Sequence, residues 1–187
     1  MARLLEMYFI RHGNTGPAAN DPIRELTEKG IVQALARREA LGNPDFDLVL
    51  SSTALRAKQT AVLVANVPME QVIPVETLYL PINKADEAAL EVLFAKLMYA
   101  PLRTYREADT TGILDRYASD NDATTLRYIT ETSAQRILIT GHAVMLNVIV
   151  SEVIGGDTDL ILDTALDEAG GFKVTTDFVN GMEVSVL

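Results

Sequence analysis

The chain holds only two histidines, and each follows a short apolar run: His12 after residues 4–10 and His142 after residues 136–140. Arg11 directly precedes His12, and Arg56 lies about one helical turn beyond the apolar trio Leu48-Val49-Leu50. The chain has 16 Lys and Arg against 26 Asp and Glu, so basic groups gathered at the ends of such runs are informative. The chemistry that fits them is phosphoryl transfer, which depends on positioning and on stabilising charge spread over several oxygens. Arginine donates two parallel hydrogen bonds and keeps its charge. A neutral imidazole can attack phosphorus and hold the group covalently, while a second, protonated one stabilises the equatorial oxygens. Backbone N–H groups after residues 51–53 and Ala143 add further donors.

Elements must bring these groups together. The runs at 4–10, 48–50 and 136–140 read as buried strands. Residues 72–75 read as a weaker one, interrupted by Pro74. Thr27 is a plausible N-cap for a helix over 28–41, closed by Gly42 and Pro44. Any of Ser51, Ser52 and Thr53 suits as cap of a helix running to about 66. Apolar residues at 89, 90, 93, 94, 97 and 98 give one helical face over 86–99. Residues 103–133 look helical in pieces, broken near Gly112 and around 119–122, and 144–153 reads as a helix stopped by Gly155-Gly156. Residues 171–175 and 182–187 read as strands joined by a turn near Asn180-Gly181. Alternating strands and helices predict an α/β fold. It is a three-layer, mainly parallel sheet with helices on both faces, with a possible antiparallel edge near the C-terminus. In such sheets ligands gather beyond the carboxyl ends of the strands, which is where both histidines fall.

Composition narrows the classes. A single domain over 1–187 is expected, 48% hydrophobic and without repeats or linkers. The absence of cysteine removes thiolate chemistry and disulfides and suits a cytoplasmic location. A formal charge of −10 argues against general binding to nucleic acid or anionic membrane. No apolar run approaches a membrane span, and the start of the chain does not read as a signal peptide. Asp157, Asp159 and Asp163 loosely resemble a calcium loop, but the central glycine and final glutamate are missing.

Four blocks in order carry a resemblance. Arg11-His12-Gly13-Asn14-Thr15 resembles the RHG signature of the histidine phosphatase superfamily, the phosphoglycerate-mutase-like proteins. Leu26-Thr27-Glu28-Lys29-Gly30 with Gln33-Ala34 resembles its next block. The stretch from Ser51-Ser52-Thr53 through Arg56 to Gln59-Thr60-Ala61 resembles the block that supplies an arginine, and Gly141-His142-Ala143 the late histidine block. The resemblance implies a phosphatase fold and activity. His12 would be the phosphorylated nucleophile. Arg11, Arg56 and His142 would form the phosphate pocket, and Asn14 would touch the phosphate. No metal or organic cofactor is implied.

One departure stands out. The family's Leu-x-Glu pattern, whose glutamate protonates the leaving group, reads Leu78-Tyr79-Leu80 here. Glu76, Asp86 and Glu87 are the nearest substitutes for that acid. In shortness and in lacking the acid, the chain resembles the phosphohistidine phosphatase branch, whose imidazole leaving group needs less proton assistance. The expected partner is a phosphorylated small molecule or phosphoprotein. Residues 100–133 are expected to form a helical insert over the site. A phosphoglycerate-type mutase, or a protein that binds phospho-ligands without turnover, are the alternatives.

Overall fold

Alternation along the first strand divides the core. In β1 (Leu5–Arg11), Leu5, Met7 and Phe9 face one side while Tyr8 and Ile10 face the other, all buried. β2 (Leu48–Ser52) repeats this with Leu48 and Leu50 opposite Val49, and β4 (Arg136–Gly141) with Ile137 and Ile139 opposite Leu138. Strands apolar on both faces require helices on both faces. The computed structural model describes residues 4–81, 83–177, 179 and 181–187.

On one face lie α1 (Glu28–Ala40) and α2 (Leu55–Ala65), where Ala34, Ala61, Val64 and Ala65 meet Tyr8, Ile10 and Val49. On the other lie α3 (Lys84–Leu97), α4 (Leu102–Ala108), α5 (Ile113–Thr132), α6 (Ala143–Val153) and the short α7 (Asp159–Asp163). β3 (Ile73–Val75), β5 (Gly171–Thr176) and β6 (Met182–Val186) complete a six-stranded sheet of order β3-β2-β4-β1-β5-β6. The four strands β3, β2, β4 and β1 are parallel, and β5 and β6 are antiparallel, as the sequence predicts for the C-terminal edge. The predicted turn falls partly on Asn180, outside the described residues. Among the described residues no helix is long and apolar enough to cross a membrane.

The topology sets one edge apart. β1, β2 and β4 all end there, delivering residues 11–13, 51–54 and 141–143 side by side. Because β5 runs the other way, it begins at that edge, with Gly171 beside Ile10. The loop 164–170 therefore opens onto the strand ends.

Three elements differ from the sequence reading. α2 starts at Leu55 with Ala54 as its N-cap, although the Ser52 hydroxyl still accepts the Ala54 N–H. α7 has too few turns to leave a periodic signature. α5 runs unbroken through 119–122, because this polar stretch turns one amide inward: buried Asn121 donates Nδ2 to the carbonyls of Thr77 and Tyr117. That bond ties the helix to the segment carrying Tyr79. Asn121→Ala is expected to lower stability by about 2 kcal/mol by orphaning the buried Thr77 carbonyl, read from chemical denaturation.

Candidate functional site

His12 is 8% exposed, and its backbone N–H continues the β1–β4 ladder to the Gly141 carbonyl at 3.0 Å. Its Nδ1 lies 2.8 Å from the Gly13 carbonyl. A carbonyl only accepts, so Nδ1 carries the proton and Nε2 keeps its lone pair. Burial first, then the charges of Arg56, Arg11 and Arg24, push the imidazole pKa down to about 4, although the Gly13 bond opposes this. His12 is therefore neutral near pH 7.

The loop that presents it is fastened from two sides. From α1, Thr27 caps the helix by accepting the Gly30 N–H and gives its hydroxyl proton to Asn14 Oδ1. Gln33 Oε1 accepts the Asn14 N–H at 2.8 Å. From α2, the Thr60 hydroxyl accepts the Gly13 N–H at 3.1 Å. Glycines 13 and 30 pass so closely that a Cβ on Gly30 would lie 2.2 Å from the Asn14 carbonyl oxygen.

His142 follows β4 at the head of α6, with its ring centroid 5.3 Å from that of His12. Its Nε2 lies 2.8 Å from Ser52 Oγ, and its Nδ1 lies 3.5 Å from an Arg56 nitrogen. Guanidinium only donates, so Nδ1 is the acceptor and Nε2–H is donated to Ser52. Burial first, then His12 and the surrounding arginines, holds its pKa well below the ordinary histidine value.

Arg56, 4% exposed on the first turn of α2, donates to the Asp21 carbonyl and to Asp21 Oδ2, both at 2.8 Å. Arg11 donates to the Leu166 carbonyl in the loop before β5. The two arginines and two histidines predicted from sequence thus line one cavity of about 530 Å³. A third arginine joins them, Arg24, which pairs with Asp21 at 3.1 Å. The Nε–H groups of Arg11, Arg24 and Arg56 are all buried without a partner. A buried donor left unpaired costs free energy, so three around one cavity call for an anion.

The remaining sequence candidates lie elsewhere. Both ends of the Asn14 side chain are taken, Nδ2 by Glu168 and Oδ1 by Thr27, and it does not line the cavity. Asp86 is held by Arg116 and Glu87 by Lys84, on α3, and neither lines the cavity. Glu76 is exposed before α3 and also outside it. Leu80 does line the cavity, with no proton to give. Asp159 and Asp163 are bound by Arg103, and Asp157 by Arg106 and Ser151. Among the described residues no three of His, Asp and Glu group closely enough to hold a metal ion.

Sequence reasoning missed Asp21, Arg24, Tyr79 and Glu168. The Tyr79 ring lies 5.3 Å from that of His142, and its hydroxyl donates to Asp21 Oδ2 at 2.7 Å. Burial first, then Asp21, pushes its pKa up to about 12, so it remains a donor. Burial raises Glu168, but bonds from Gln33, Asn14 and Lys29 outweigh it and hold the carboxylate at about 2. Glu168 and Arg11 also border a second space of about 720 Å³, which adjoins the first and is lined by Tyr99, Leu102 and Leu166. Of the segment 100–133, the residues that border this space are Ala100, Pro101 and Leu102.

Residues 7–79 match the model of the histidine phosphatase superfamily (branch 1). No curated protein matches the chain in sequence. Among solved structures, the chain is similar to a phosphoserine phosphatase from Entamoeba histolytica in complex with 3-phosphoglyceric acid. The TM-score is 0.68 at 18% identity, covering 97% of this chain and 96% of that one. It is similar to the alpha-ribazole phosphatase from Shigella flexneri, with TM-score 0.66 at 20% identity, covering 98% and 96%. It is also similar to the protein histidine phosphatase SixA complexed with tungstate, with TM-score 0.62 at 18% identity, covering 97% and 94%. Residues 7–79 thus match the family that the four motif blocks resemble, and nearly the whole chain shares its fold with these solved structures.

Proposed function

We propose that the protein is a phosphatase that works through a covalent phosphohistidine on His12. The observation that carries this is a bare imidazole nitrogen in a cavity bordered by three arginines whose Nε–H groups have no partner. A phosphoryl dianion seated among Arg11, Arg24 and Arg56 brings its phosphorus to Nε2. The Nε2 lone pair forms the P–N bond as the bond to the leaving group breaks. Water then attacks phosphorus, the P–N bond breaks, its electron pair returns to Nε2, and inorganic phosphate departs. Burial and then its cationic neighbours depress His142; the anion offsets the latter, so that imidazole takes a proton from solvent and donates to an equatorial oxygen. The arginines supply the charge stabilisation.

The family and the similar proteins support a phosphorylated substrate. The adjoining space bordered by Tyr99 and Leu102 gives a bulky leaving group room, whether a small molecule or a phosphoprotein side chain. The chain's lack of cysteine suits work in the cytoplasm.

Incubation with a labelled phosphoryl donor followed by alkaline quench, which preserves the P–N bond, should trap one phosphoryl group per chain. Turnover without any trapped or kinetically resolved phosphoenzyme counts against the covalent route. His12 must be neutral to attack, and its pKa lies at about 4, so on the acid side its protonation should lower kcat/KM about tenfold per pH unit below that value. Stability behaves in parallel. Between about 4 and 6.5 the unfolded chain binds protons that the buried imidazoles refuse, so stability falls as pH drops through this window. Denaturation midpoints across that range check it.

A further inference from the structure

Resting on the phosphatase reading, we infer that Asp21 is the general acid and base of this site, supplied by the loop before α1 instead of by the segment after β3. The cavity around His12 contains two carboxylates among the described residues, Asp21 and Glu168. Glu168 has three donors on it, from Asn14, Gln33 and Lys29, all of which lie outside the positions a phosphoryl group would contact. Nothing in anion binding would loosen them, so Glu168 stays ionised. Asp21 is held differently. Its partners are Arg56, Arg24 and the Tyr79 hydroxyl, and the two arginines border the phosphoryl cavity. Its carboxylate rests on the guanidinium groups that an incoming dianion needs.

That competition gives the residue its cycle. A phosphoryl dianion takes over Arg56 and Arg24, and the Asp21 carboxylate loses its stabilising charges and gains a negative neighbour. Both changes favour its protonated form. Tyr79, itself a lasting donor, holds the carboxyl at the rim beside His142. As His12 Nε2 bonds to phosphorus and the leaving-group bond breaks, the Asp21 carboxyl gives its proton to the departing oxygen or nitrogen. In the second step the carboxylate takes a proton from the attacking water while the P–N bond breaks. Asp21 thereby returns to its starting state with no net proton change. Its side chain is 49% exposed, so it can exchange protons with solvent and can move when displaced. Leu80, which occupies the place of the family's acid, has nothing to offer in its stead.

The test compares leaving groups. Wild type and Asp21→Asn are assayed on phenyl phosphate, whose leaving group needs a proton, and on 4-nitrophenyl phosphate, whose leaving group does not. Asp21→Asn should lose about 100-fold in kcat on the former and under about 10-fold on the latter. Vanadate should bind Asp21→Asn at least as tightly as wild type, because a competing anion is gone. Equal losses on both substrates would mean that Asp21 merely orients Arg56, and no loss on either would mean that it does nothing; each overturns the inference. Phosphoenzyme trapping with 4-nitrophenyl phosphate runs alongside. If Asp21→Asn labels, the variant is folded and the comparison stands. If wild type itself forms no phosphohistidine, the failure belongs to the covalent mechanism.

Discussion

His12→Ala is expected to reduce phosphatase kcat/KM by at least about 10⁴-fold and to abolish phosphoenzyme labelling. The size follows from what the residue alone supplies. Its lone pair at Nε2 is made available by the Gly13 carbonyl, which fixes the tautomer, and by burial and cationic neighbours, which keep it unprotonated. His142 cannot substitute. Its ring centroid is 5.3 Å away, its Nε2 proton is given to Ser52, and its Nδ1 faces Arg56. The fold should survive, because His12 contributes a strand-end backbone bond that alanine keeps. Vanadate affinity measured on the variant reads the intact pocket, since Arg11, Arg24 and Arg56 remain. Retention of activity within tenfold of wild type would remove His12 from the chemistry.

Gly30→Ala should cost about 3 kcal/mol of stability, a fall of about 10 °C in Tm, and most of the activity. A Cβ there would sit 2.2 Å from the Asn14 carbonyl oxygen and 2.9 Å from its nitrogen. Both are backbone atoms, so no side chain can rotate away. The loop carrying His12 must move off α1, breaking the Thr27 and Gln33 contacts that hold it. Gly16→Ala is the control. Its Cβ would meet only a Thr27 methyl at an ordinary 3.8 Å, and it should leave both readouts nearly unchanged. Thermal unfolding and steady-state kinetics on the two variants decide the matter.

The second motif block thereby acquires a physical meaning. Thr27, Gly30 and Gln33 perform no chemistry in the proposed cycle; they seat the loop that does. Gln59 and Thr60 serve from α2, by accepting the Leu26 and Gly13 N–H groups. Residue types at fixed spacing were readable in the sequence because an element presents them. His12, Arg11, Arg56 and His142 all stand at the ends of doubly buried strands or on the helical turn that follows, and continuous apolar runs announce those strands. Asp21, Arg24 and Glu168 stand in loops without period, and their partners lie far away: 35 residues separate Asp21 from Arg56, and 154 separate Asn14 from Glu168. Only tertiary structure makes such pairs. The Asp21-Pro22 turn, with an arginine three residues on from the aspartate, was the one local signal. The resemblance implies that Asn14 touches the phosphate, whereas the network around it uses up both ends of its amide.

The position of β1 in the middle of the sheet has a consequence for how the molecule is made. Its neighbours on either side are β4 and β5, so Glu6 pairs with Arg136 on one flank and Thr175 on the other. A ribosome adding roughly 5–20 residues per second leaves that first apolar strand unpaired for several seconds before either neighbour emerges. Local helices can form meanwhile, but the central strand must wait, and such long-range pairing slows folding. His12, the proposed nucleophile, thus emerges well before the strands that enclose it.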